Sequence, residues 1–174
     1  MIEQLGMHAT ILRPAYFMQN DDALIRSDVL ERGVYPMPIG SAGISMVDAR
    51  DVAQVAARHL QRRDAASEPL PTEVLDVVGP TALSGETAAA VWSDVLGKSV
   101  QYAGDDIEPF EARFQSFAPA WMAYDMRLMM ARMQMDGELG SAGAVERMQQ
   151  ELGTSLRSYH DYALETAGRW KTAQ

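Results

Sequence analysis

Residues 133–147, MQMDGELGSAGAVER, bring Gly137, Gly140 and Gly143 into step as G-x-x-G-x-x-G. Such a run grips a dinucleotide when it leaves a buried strand and opens a helix. The first glycine then permits the tight turn, and the later ones let backbone N–H groups approach the pyrophosphate at the helix N-terminus. The downstream half suits this role: AVERMQQEL has helical composition, and Asp161 stands where a ribose-binding carboxylate could fall. The upstream half does not. Met122, Met126, Met129, Met130 and Met133 recur at helical spacing with Arg127 and Arg132 among them, a helix pattern rather than a buried strand. No strand-like run separates Gly143 from Asp161 either. The three glycines are expected to be a helix-to-helix connector.

Other catalytic patterns are as thin. A tyrosine-based proton shuttle needs Tyr-x-x-x-Lys on one helix face, where the lysine lowers the phenol's pKa. The lysines here are Lys98 and Lys171, and neither follows a tyrosine by four. Ser158, Tyr159, His160 and Asp161 hold the residue types of a hydrolase triad, but neighbours on a helix point about 100° apart and cannot align. Asp21-Asp22 and Asp105-Asp106 read as solvated or helix-capping acids. His8, His59 and His160 read as dispersed surface histidines, and with no cysteine there is neither disulfide nor thiolate chemistry. These patterns point to no catalytic residue and no metal ligand.

The chain has 174 residues, enough to bury about 70% of its unfolded surface as one domain over residues 1–174. A net charge of −9, with only the Arg62-Arg63 pair as a basic cluster, argues against nucleic acid and against an anionic membrane surface. No long apolar run is present, and a cytoplasmic location is the expectation.

The elements follow from pattern. HATILRP reads as a strand covered on both faces and stopped by Pro14. Residues 15–33 read as a helix with Met18, Leu24, Ile25 and Leu30 inward, closed by Gly33. Met1 to Gly6 reads as the last turn of another helix, and Ile44 to Val47 as a short strand. Asp51 is expected to cap a helix that buries Val52, Val55, Ala56 and Leu60. VLDVVGP is a second strand, Ser84 to Gly97 a capped helix, SVQYAG a short edge strand, and four helices follow to the end. The Met stripe reads as helix packing. The alternative is an adaptable surface near Phe117, Trp121 and Tyr124. The fold class is α/β.

Three stretches together resemble the NmrA-like proteins, a branch of the atypical short-chain dehydrogenases: ATILRPAYFMQN; ISMVDARDVAQVAARHL, with acids at Asp48 and Asp51; and LDVVGPTALSGETAAAVWSDVLGKSVQY. The tail LGTSLRSYHDYALETA is also similar. The resemblance is to the second half of such a protein, without the half that carries the glycine loop. It implies an incomplete Rossmann-like three-layer fold, with a small parallel sheet of 2–4 strands and a helical C-terminal tail. It further implies that Pro14, Ala15, Tyr16 and Phe17 lie at the nicotinamide end of an NAD(P) site. Asn20, Tyr35 and Pro38 would then line a substrate pocket, together with Trp121 and Met122 from the Met-rich helix. The family's lysine ahead of this strand has no counterpart in this sequence.

Two functions follow as expectations. One is a truncated, non-catalytic binding or regulatory module that takes no cofactor alone. The other is an NAD(P)H-dependent oxidoreductase whose nucleotide-binding half is truncated or comes from a partner chain. In either case the strand from Ala9 to Arg13 would expose an unpaired edge, so a homo-oligomer or partner chain is expected to cover it. A small-molecule ligand is a further expectation.

Overall fold

β-branched and apolar residues at 10–12 and 74–78 form the sheet, and Gly- or Pro-bearing loops delimit it. In the computed structural model, which describes residues 5–172, β1 (Thr10–Pro14) and β3 (Glu73–Val77) pair in parallel, from Thr10 opposite Glu73 to Pro14 opposite Val77. A second parallel pair joins β2 (Val34–Tyr35) to β4 (Gln101–Tyr102). Between and after the strands come α1 (Asn20–Leu24), a π-helical turn (Asp28–Arg32), α2 (Ala49–Asp64), α3 (Gly85–Leu96), α4 (Glu108–Gln115), α5 (Ala120–Asp136), α6 (Ala144–Leu152) and α7 (Tyr159–Thr172). The chain is mixed α/β and Rossmann-like, with small parallel sheets and a helical C-terminal tail, as its sequence implies. The expectation for residues 1–4 lies outside the described residues.

Local chemistry sets several boundaries. Ser84 caps α3 in a reciprocal box with Thr87, and Gly97 ends the helix in the left-handed region. α2 and α6 lie against β1 and β3, and Val47, Val55, Val77, Met148 and Leu152 fill that space. A larger core gathers α3, α5 and α7 around Trp92, which stacks on Trp170 at 4.8 Å. Most of the Met stripe belongs to this core: Met130 and Met133 are buried, and Met126 and Met129 pack against it.

Four expectations need correction. Residues 15–33 do not form one helix. α1 is short and is capped at Ile25, and a separate π-helical turn carries Asp28 and Val29 inward before Gly33 closes the segment in the left-handed region. Ile44 to Val47 is not a strand. Ile44 bridges Leu83, Ser45 N–H donates to the Glu138 carbonyl, and Val47 bridges Phe17, so successive residues pair with different segments and no ladder grows. The second strand is Val34–Tyr35 instead. Asp48, not Asp51, caps α2, accepting from Arg50 N–H at 2.8 Å. On that helix His59, not Leu60, turns inward. His59 is 3% exposed, with Nδ1 at 3.1 Å from Glu73, while Leu60 stays in solvent.

Candidate functional site

Open α/β sheets bind ligands in the crevice outside the carboxyl ends of their strands. Here β1 runs out at Pro14 beside Val77 of β3, and Ala15 N–H still donates to the Val77 carbonyl at 3.0 Å. Tyr16 N–H then turns to Glu138 Oε2 at 2.9 Å, and the Tyr16 carbonyl accepts from Val47 N–H at 2.9 Å. The crevice lip is therefore built from residues 14–17, the loop at 44–47 and the glycine connector. Gly79 completes it: a Cβ there would overlap the Met46 carbonyl oxygen, so a side chain would push the lip apart. Burial pushes the Glu138 carboxyl above its ordinary range, only partly offset by the Tyr16 N–H.

Beneath the lip sits a buried polar knot. Asp21 is fully buried, where the sequence suggested a solvated acid; it shares the inward face with Met18 and Ile25. Its Oδ2 accepts from Tyr159 OH and, at 3.3 Å, from Tyr35 OH. Trp92 Nε1–H donates onward to the Tyr159 oxygen at 2.9 Å. Asp21 Oδ1 has no partner. Burial pushes Asp21 up to about 7 against the pull of its tyrosine hydrogen bonds. Burial, then the charge of Asp21, also drives Tyr16 well above the ordinary phenol range. Both influences favour the neutral phenol of Tyr16 over its phenolate. The knot ties α1, β2, α3 and α7 together. Its side chains are almost wholly buried.

The glycine connector joins α5 to α6 and follows a helix, as its sequence indicates. All three glycines have positive φ. A Cβ at Gly137 would stand 2.7 Å from the Gly43 carbonyl oxygen, and one at Gly140 would stand 2.7 Å from Val78 Cγ1. Gly137 and Gly140 thus face packed protein, whereas a Cβ at Gly143, exposed at the start of α6, would meet only the Arg147 and Glu146 side chains, at 3.5 Å and 4.0 Å. Ser158 and Asp161 hydrogen-bond each other at the start of α7, while His160 turns to Asp94 at 2.9 Å, so no triad forms.

The pocket residues inferred from the family do not all converge. Ala15 and Tyr16 are buried under the lip, Phe17 and Asn20 are half-buried beside it, and Pro14 is exposed. Tyr35 faces Asp21 with its ring buried, and Pro38 is buried with its carbonyl accepting from Gln134 at 2.8 Å. Trp121 and Met122 are exposed on α5. Asp48 and Asp51 are structural: Asp51 accepts from Arg157 N–H at 3.0 Å and from its guanidinium, locking α2 to the segment before α7. Sequence reasoning missed Glu138, whose role depends on a segment 122 residues away. It also missed a cavity of about 480 Å³ between the π-helical turn, β2 and α4, lined in part by Asp28, Met37, Phe110 and Arg113.

No protein-family model matches the chain. It is 35% identical over 107 residues to an NAD(P)H azoreductase of Xenophilus azovorans, an alignment covering 62% of this chain and 35% of that protein. Among solved structures it superposes on an NADPH-dependent quinone oxidoreductase of Escherichia coli with a TM-score of 0.73 at 21% identity, covering 88% of this chain and 53% of that one. A Citrobacter sp. triphenylmethane reductase complexed with NADP(H) gives 0.76 at 18% identity, with 95% and 55% covered. The chain thus spans about a third to a half of the length of the proteins it matches. Its fold is that of half of an NAD(P)-binding reductase, in keeping with the resemblance to the second half of the NmrA-like proteins.

Proposed function

We propose that this chain is the substrate-side half of an NAD(P)H-dependent oxidoreductase, completed by nucleotide-binding strands that pair along β1. The observation that carries this is the state of the β1 edge. The Ala9 carbonyl and the Ala15 N–H both bond to β3, so alternate residues 9, 11, 13 and 15 face it. The backbone groups of Thr10 and Leu12 then point the other way, where no described strand lies. Pro14, which has no N–H to offer, falls on that same open side. Ile11 and Leu12 are half-buried and apolar, the composition of an interior strand rather than an edge. The relatives named above supply the reaction class. The aromatic and conjugated acceptors in their names, quinones, azo compounds and triphenylmethanes, supply the candidate substrates.

On this reading Pro14 to Phe17 meet the nicotinamide end, and the phosphate cradle belongs to the completing half. The test is calorimetry with NADPH, on the chain alone and on the chain co-expressed with the glycine-loop half of the azoreductase relative. The expected outcome is no heat from the chain alone and saturable binding by the pair, with turnover of a quinone or azo acceptor. Tight NADPH binding by the chain alone would overturn the proposal. A pair that binds nucleotide but reduces none of these acceptors would favour the non-catalytic regulatory module.

A further inference from the structure

The cavity of about 480 Å³ beside the π-helical turn is separate from the crevice lip: none of Pro14, Ala15, Tyr16 or Phe17 lines it. Its size falls within the range of small-molecule pockets, and its composition is theirs too, apolar walls with few polar groups. Leu24, Val34, Pro36 and Met37 form one side. A run of three rings forms the other: Phe110 and Phe114 lie 5.2 Å apart, and Phe114 and Phe117 lie 4.8 Å apart. Phe117 keeps 60% of its surface in solvent although it lines an apolar cavity, so a ring-shaped ligand there would bury it.

The polar end is built around a buried acid. Asp28 is 5% exposed, and both its oxygens are taken: Oδ1 accepts from Arg32 at 2.7 Å and Oδ2 from Arg113. Arg113 also donates to the Leu24 carbonyl. One carboxylate thus faces two guanidiniums, so one negative charge is set against two positive ones, and each guanidinium keeps N–H donors beyond those given to Asp28 and the Leu24 carbonyl. Asp106 also lines the cavity, and its carboxylate accepts from the Glu108 N–H at 3.1 Å, at the start of α4. The unmatched charge at the Asp28 end is positive. Asp28 opens the π-helical turn with its side chain buried, and such turns recur at functional sites.

We propose that this cavity binds a flat aromatic anion, with its ring system against Phe110, Phe114 and Phe117 and its anionic group on Arg113 and Arg32. The site needs no nucleotide and stands apart from the reductase reading. The test is calorimetry on the chain alone with 2-naphthalenesulfonate and with the neutral 2-naphthamide. The expected result is saturable one-to-one binding of the sulfonate, with the amide at least tenfold weaker. Arg32→Gln, which leaves the Arg113–Asp28 pair in place, should weaken the sulfonate at least threefold and leave the amide unchanged. Phe117→Ala should weaken both, and Ser27→Trp at the cavity wall should abolish both, with circular dichroism confirming that each variant is folded. No saturable sulfonate binding up to millimolar concentration, equal affinities for the two probes, or indifference to Arg32→Gln and Ser27→Trp would each overturn the proposal.

Discussion

Around Asp21 the rings are covered, and only one carboxylate oxygen and the Tyr162 hydroxyl go without a partner; along β1, Thr10 and Leu12 present backbone groups to no described strand. The two regions are joined by a few residues of one chain, yet one is covered from several elements and the other is paired on one side. The contrast lies in where each finds its partners. The knot draws Tyr35, Trp92 and Tyr159 from β2, α3 and α7, all within this sequence. β1 has β3 on one side, and an interior position in a parallel sheet requires a second neighbour. The helical side therefore behaves as a self-contained core, while the sheet side leaves one edge of β1 without a described strand.

Perturbing the core should have the largest effect. Trp92→Ala removes a fully buried ring, its stacking on Trp170 and a donor to Tyr159. Chemical denaturation should show a loss of about 3–5 kcal/mol, the range for large aromatic truncations. A loss below about 1 kcal/mol would mean that the helical side is not the stable unit.

The knot also predicts a pH dependence. Asp21 is held at about 7 in the folded chain by burial, whereas an unfolded aspartate titrates near 4. The native state therefore keeps a proton that the unfolded chain has released. Its stabilising effect is complete below about pH 4 and is lost as pH rises through about 7, and the total is on the order of 4 kcal/mol. Glu138, also raised by burial, acts in the same direction. At Glu73 burial is outweighed by hydrogen bonds from Arg62, Thr10 and His59, which hold it at about 2, so its opposite effect appears only in more acidic solution. Urea titrations from pH 4.5 to 7.5 should show stability falling as pH rises, and Asp21→Asn should flatten the slope. A slope left unchanged by Asp21→Asn would show that Asp21 is not held protonated in the folded chain.

The smallest effect on stability should come from the open edge. Leu12→Pro removes an N–H that points away from β3 and has no described strand to pair with, so the isolated chain should lose only part of the half-buried Leu12 packing, on the order of 1 kcal/mol. The same change should prevent assembly with a nucleotide-binding half, measured by co-purification. If the variant still assembles, pairing along β1 is not how the sheet is completed.

Elements whose limits are local were legible in the sequence. Ser84 with Thr87, and Gly97 past the end, define α3 by capping chemistry alone, and the Met-rich run ahead of Gly137 excluded a strand before the glycine connector. The residues that shape the crevice and the cavity were not. Asp21 looks like one of two loop acids until Tyr35 and Tyr159 arrive from distant segments to cover it. His59 lies four residues after Val55, so the helical period could have placed it inward, but the apolar pattern drew attention to Leu60. Glu138 follows a glycine in a connector and carries no pattern of its own.

By itself the sequence determined the fold class, the order of most elements, and the character of the triple-glycine run as a connector. All three rest on periodicity, capping and turn chemistry within about a dozen residues. Only the tertiary structure decided which charged groups are buried, where Arg113 meets Asp28, and which side of β1 stays open. Burial and register are properties of segments brought together from far apart along the chain, and no local pattern encodes them.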